Sequence, residues 1–134
     1  MQRAISLSGF ALLLLLVSGP GAVAEEATPA VATKDLKSVI TAPDGPLLLD
    51  VRTPEEYAKG HIPGALLVPV DELADRLEQL APYKERGIVT YCQSGRRAER
   101  ARGILQEAGF QNLRVLEGSI ARWREEGREI NAAK

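Results

Sequence analysis

A single cysteine, Cys92, stands in the run Tyr91-Cys92-Gln93-Ser94-Gly95-Arg96-Arg97. The apolar residues Ile88-Val89-Thr90-Tyr91 lead into it, and a helical pattern starts just after it. That context places a thiol on a tight strand-to-helix turn. Backbone N–H groups at a helix start, with their partial positive charge, favour a thiolate or an anion attached to its sulfur. Gly95 permits backbone geometry that a side chain would block. Arg96 and Arg97 add permanent charge, and a guanidinium can grip an oxyanion with two hydrogen bonds. The loop therefore reads as a nucleophilic cysteine with an anionic substrate, Cys92 reacting and Gln93, Ser94, Gly95, Arg96 and Arg97 binding.

Elements must deliver that loop. Residues 47–51 and 65–68 are short apolar runs, as are 87–91 and 113–116, and each suits a buried parallel strand. Residues 35–40 read as a short amphipathic helix with Thr33 as its cap. Thr53-Pro54-Glu55-Glu56 opens another helix with a capping box and Pro at the first position. A helix is expected from Asp71 to about residue 79, because Leu73, Leu77 and Leu80 fall at helical spacing. From 96 to 108 the residues Ala98, Ala101, Ile104, Leu105 and Ala108 share one face, and Gly109 stops the helix. A last helix spans 119–126, with Ile120 and Trp123 facing inward. Alternating strands and helices predict an α/β domain whose mainly parallel sheet carries helices on both faces. In such sheets the site lies at the carboxyl ends of the strands, where Cys92 falls.

The chain's first 24 residues have the grammar of a secretory signal: Arg3, an apolar stretch centred on Leu12 to Leu16, then Ala22-Val23-Ala24. Export to the periplasm is expected, with no membrane attachment after cleavage. Residues 25–33 read as a flexible leader, and residues 34–130 as the domain. Cleavage removes one of 17 basic residues and none of the 18 acids. The slightly acidic balance argues against a nucleic-acid or membrane-surface binder. A lone cysteine in an exported protein forms no internal disulfide, which sharpens the reading of Cys92 as reactive.

Spacing separates the candidate reactions. Phosphatase loops of the tyrosine-specific type run Cys-x5-Arg, and that position here is Ala98. The arginine that closes this loop is Arg97, giving Cys-x4-Arg. The smaller ring suits one extra sulfur on Cys92 better than a phosphate.

Three segments together resemble the single-domain rhodanese family of sulfurtransferases, exported bacterial type. They are Leu49-Asp50-Val51-Arg52-Thr53-Pro54-Glu55-Glu56-Tyr57, Gly60-His61-Ile62-Pro63-Gly64-Ala65 and Tyr91-Cys92-Gln93-Ser94-Gly95-Arg96-Arg97-Ala98. Residues 116–120 and Trp123 add the family's usual ending. The resemblance covers residues 34–127 and implies a rhodanese-like fold. It also implies a thiosulfate sulfurtransferase that carries a persulfide on Cys92. The backbone N–H groups of residues 93–97 would hold its outer sulfur, and cyanide, a thiol or a protein would accept it. It implies no cofactor and no metal, and a small domain of this kind is expected to be a monomer. A persulfide carrier or oxyanion-binding module with little turnover is the alternative.

Other residues divide by the same logic. His61 reads as part of a structural turn, and Asp50 with Arg52 as an ion pair that fixes the loops. Arg97 is expected to turn inward onto backbone carbonyls, leaving Arg96 to attract the donor. The family often has paired glycines where this chain has Gly118-Ser119, and a small residue where it has Arg122.

Overall fold

The computed structural model describes residues 29–132. The expected signal segment lies outside the described residues.

Five strands form one parallel sheet in the spatial order β1-β5-β4-β2-β3. They are β1 (Ala30–Val31), β2 (Leu47–Asp50), β3 (Leu66–Leu67), β4 (Ile88–Tyr91) and β5 (Leu113–Leu116). The helices are α1 (Leu36–Thr41), α2 (Pro54–Lys59), α3 (Arg96–Glu107) and α4 (Ser119–Glu125). β4 is the central strand and is buried at every position, so its side chains are apolar or, like Thr90, satisfied internally. Thr90 donates its hydroxyl to the Ala98 carbonyl at 3.0 Å, pinning α3 to β4.

Two apolar clusters cover the two faces. Leu49, Val51, Ile88, Ala98, Ala101 and Leu105 belong to one, built on α3. Leu36, Leu48, Val89, Ile120 and Trp123 belong to the other, built on α1 and α4. Trp123 therefore packs in the core, as its inward helical position predicts.

Three expectations need correction. Residues 25–33 do not all form a leader: Ala30–Val31 pair with Val115 and Leu116 as an edge strand, and Val31 is buried. Thr33 does not cap α1 but lies in a 3₁₀ turn, Thr33–Asp35, and donates its hydroxyl to Glu126 at 2.6 Å. Nor is there an α-helix after Asp71. Two 3₁₀ segments, Val70–Asp75 and Leu77–Tyr83, take its place, broken at Arg76 with φ −119°. Pro82 lies within the second of these, where it removes a backbone donor. Ordered pairing also reaches past residue 130: His61 and Asn131 exchange backbone hydrogen bonds at 2.8 and 2.9 Å.

Candidate active site

The end of β4 hands the chain directly to Cys92, and α3 begins four residues later at Arg96. Gly95 caps α3 with φ +119°, a conformation open to glycine and strained for other residues. That turn aims the Gly95 N–H at Cys92 Sγ, which accepts it at 3.0 Å. Cys92 is buried, Gln93, Ser94 and Arg96 are exposed, and Gly95 and Arg97 are half-buried. The sulfur thus sits on the floor of a loop whose rim is polar and cationic.

The loop is held from beneath by the start of α4. Ser119 Oγ accepts the Cys92 N–H at 3.3 Å. The N–H groups of Ile120 and Ala121 donate to the carbonyls of Cys92 and Gln93, each at 3.1 Å. The backbone that carries the nucleophile is therefore occupied on both polar edges.

Arg97 differs from its expected role. It does not hold backbone carbonyls but grips Glu56 with both guanidinium nitrogens, at 2.7 and 3.0 Å. Its charged form is favoured first by that hydrogen bond and further by the proximity of Cys92. Arg97 in turn holds the Glu56 carboxyl down to about 2. Glu56 also completes the capping box of α2, accepting from the Thr53 N–H while the Thr53 hydroxyl receives the Glu56 N–H. Arg96 forms no ion pair among the described residues and projects from the rim as an unneutralised cation.

A second buried group supports the neighbouring strand end. Asp50 and Arg52 pair at 2.7 Å, both essentially without solvent exposure. Arg52 also donates to the Gly60 carbonyl at 2.7 Å, tying β2 to the end of α2. Burial works against the Arg52 charge, and the Asp50 hydrogen bond and charge more than offset it. Breaking such a pair costs about 3–5 kcal/mol because one charge is left uncompensated. Asp50 lies beside Tyr91 in register, and burial, then the Asp50 charge, pushes the Tyr91 phenol well above its ordinary value. Its oxygen accepts the Ile62 N–H at 3.1 Å, which fixes the His61–Gly64 turn to β4.

His61 is placed in that turn, not in the loop. It stacks on Tyr57 with ring centroids 3.7 Å apart and contacts the Tyr57 carbonyl through Nδ1 at 3.0 Å. Arg100 pairs with Asp71 on the surface, and Arg102 with Glu99. The cavity of about 750 Å³ beside α1 and the start of β2 is lined by residues such as Leu36, Tyr83 and Trp123, and by no residue of the Cys92 loop.

Sequence reasoning named every residue of the loop but missed two that fix it. Glu56 was legible as a helix cap, not as the Arg97 partner, because that contact spans 41 residues of chain. Ser119 was visible only as a departure from paired glycines.

Comparison with known proteins agrees with this fold. A sulfurtransferase from Allochromatium vinosum is 38% identical over 86 residues, covering 64% of this chain and 78% of that protein. A tRNA uridine(34) hydroxylase from Cronobacter sakazakii is 32% identical over 99 residues, which is 71% of this chain but only 28% of the relative. The solved thiosulfate sulfurtransferase of Pseudomonas aeruginosa superimposes with a TM-score of 0.66 at 27% identity, over 80% of this chain and 21% of that one. The model of the Rhodanese-like domain matches residues 32–126. With its parallel sheet and its cysteine loop at the end of the central strand, the chain belongs to the rhodanese-like domain family.

Proposed function

We propose that the protein is a thiosulfate sulfurtransferase working through a persulfide on Cys92. The observation that carries this reading is the Gly95 N–H on Cys92 Sγ at 3.0 Å, inside a loop closed by Arg97. A backbone N–H aimed at the sulfur from a helix start can donate to it before and after it gains a second sulfur. The Cys92 thiolate attacks the outer sulfur of thiosulfate. A sulfur–sulfur bond forms to Cys92, the bond to the sulfonate sulfur breaks, and sulfite departs with the electron pair. An acceptor nucleophile, cyanide or a thiol, then attacks the terminal sulfur, and the Cys92 thiolate leaves. No electron donor is consumed, since each step is a displacement at sulfur.

Arg96 draws the dianionic donor to the rim, and the Glu56-bound Arg97 holds the loop's shape. Cys92 is the chain's one cysteine, so the persulfide is discharged to an outside acceptor. The apolar N-terminal stretch with its small-residue end supports export to the periplasm, and the small size of the domain supports a monomer.

Thiocyanate production from thiosulfate and cyanide, compared with a Cys92→Ser variant, tests the reading. Turnover by the wild type and none by the variant is expected. Absence of wild-type turnover defeats the enzyme reading. Retention of one extra sulfur in the intact mass, without turnover, would identify a carrier instead.

A further inference from the structure

Ser119 is the one residue of the loop's support that carries a strained backbone. Its φ is +51°, in the left-handed region that costs an L-residue with a side chain about 1–2 kcal/mol. It is also fully buried, a site where a hydroxyl is retained only with a partner. Its partner is the N–H of the nucleophile itself. Gly118, just before it, already has φ +72°, so the turn into α4 holds two successive left-handed residues. A glycine at position 119 would meet that backbone demand without strain. The chain carries a serine there instead, so the hydroxyl is what the strain retains.

The contact has a direct consequence for the sulfur. Cys92 is buried, so its N–H cannot turn to bulk water. Without Ser119 Oγ that donor is orphaned, and the loop must shift to satisfy it. Such a shift moves Cys92 Sγ relative to the Gly95 N–H, because the two belong to one four-residue turn. Ser119 Oγ is also 4.0 Å from where a side chain on Gly95 would begin, so it lies close to both residues that the sulfur's hydrogen bond joins.

Resting on the sulfur-transfer reading, we infer that Ser119 is a positioning residue. Its hydroxyl anchors the Cys92 backbone so that the sulfur stays on the Gly95 N–H throughout transfer. It touches neither donor nor acceptor. Removing it therefore lowers the rate of the chemical step and leaves anion binding at Arg96 intact.

Two substitutions separate the hydroxyl from the backbone. Ser119→Gly removes the hydroxyl and the strain together, and Ser119→Ala removes the hydroxyl alone. Both are expected to lose about tenfold in kcat, with KM for thiosulfate unchanged. Thermal unfolding is expected to leave Ser119→Gly at least as stable as Ser119→Ala. Wild-type kcat in Ser119→Gly would overturn the inference, whether or not Ser119→Ala is impaired. So would a raised KM with kcat retained. Alkylation of Cys92 by iodoacetamide needs no sulfur transfer and is expected to slow several-fold in both variants. If the wild type shows no turnover, the sulfur-transfer reading alone falls. Unchanged alkylation would then overturn the role of Ser119.

Discussion

Two adjacent arginines of the loop do unlike work, and their partners explain why. Arg97 is committed to Glu56 by a two-pronged ion pair, while Arg96 has no carboxylate among the described residues and stands exposed. An uncommitted cation at a rim contributes to capture of an anion far more than to folding. Arg96→Ala is therefore expected to raise KM for thiosulfate about fivefold, on the order of 1 kcal/mol, with Tm unchanged. The effect should shrink as salt is added, because an exposed charge is screened. Steady-state kinetics at low and high ionic strength checks this. A fall in Tm with KM preserved would assign Arg96 a structural part. The division of the two arginines was expected from the sequence, but with backbone carbonyls as the partner of Arg97. Its actual partner, Glu56, joins the loop only through the fold.

At the scale of elements, the glutamate that starts α2 also stabilises the turn that starts α3. The Thr53 cap, the Glu56 side chain and Arg97 form one chain of contacts between two helix starts. Each end is legible alone: Thr53-Pro54-Glu55-Glu56 spells a capping box, and Gly95-Arg96-Arg97 spells a helix start. The contact between them is not, because nothing local records that β2 and β4 are neighbours. The expected helix after Asp71 failed for a related reason. Leucine spacing reports which residues face the core, and Leu73 and Leu80 are indeed buried. It does not report that Arg76 breaks the segment into two tighter 3₁₀ pieces.

The same α2–loop link carries a pH dependence. Arg97 holds the folded-state carboxyl of Glu56 at about 2, below its ordinary value of 4.5. Its contribution to stability is therefore complete above about pH 4.5 and is lost as pH falls toward 2. In Glu56→Gln the cap geometry can persist while the charge is gone. Denaturant unfolding should find the variant less stable at neutral pH, with the gap to wild type closing between pH 4.5 and 2. Parallel stability curves through that window would remove Glu56 from the acid response.

For the molecule as a whole, the sheet is completed by residues that composition alone assigns to a tail. Pro29-Ala30-Val31-Ala32 has nothing of a strand's length, yet Val31 is 4% exposed and packs with Leu36, Leu116 and Trp123. The Val115 N–H donates to the Pro29 carbonyl at 3.0 Å, and the Glu117 N–H to the Val31 carbonyl at 2.9 Å. Without them β5 becomes an edge, with its N–H groups open to other chains. Burial of one valine contributes about 1.5–3 kcal/mol. In a domain of this size each kcal/mol moves Tm by about 4–8 °C. Val31→Asp, which places a charge against that cluster, is therefore expected to lower Tm by at least about 6 °C. A chain starting at Lys34 should lose at least as much and aggregate on heating, because it also uncovers β5. β5 stands between β1 and the central strand that carries the Cys92 loop, so the fraction that stays folded should keep its rate of sulfur transfer. Differential scanning calorimetry with light scattering measures the first two effects, and initial rates well below Tm measure the third. Equal Tm values for a chain starting at Glu25 and one starting at Lys34 would mean that β1 adds nothing to the sheet. Loss of rate without loss of Tm would place the N-terminal strand in the support of the site itself.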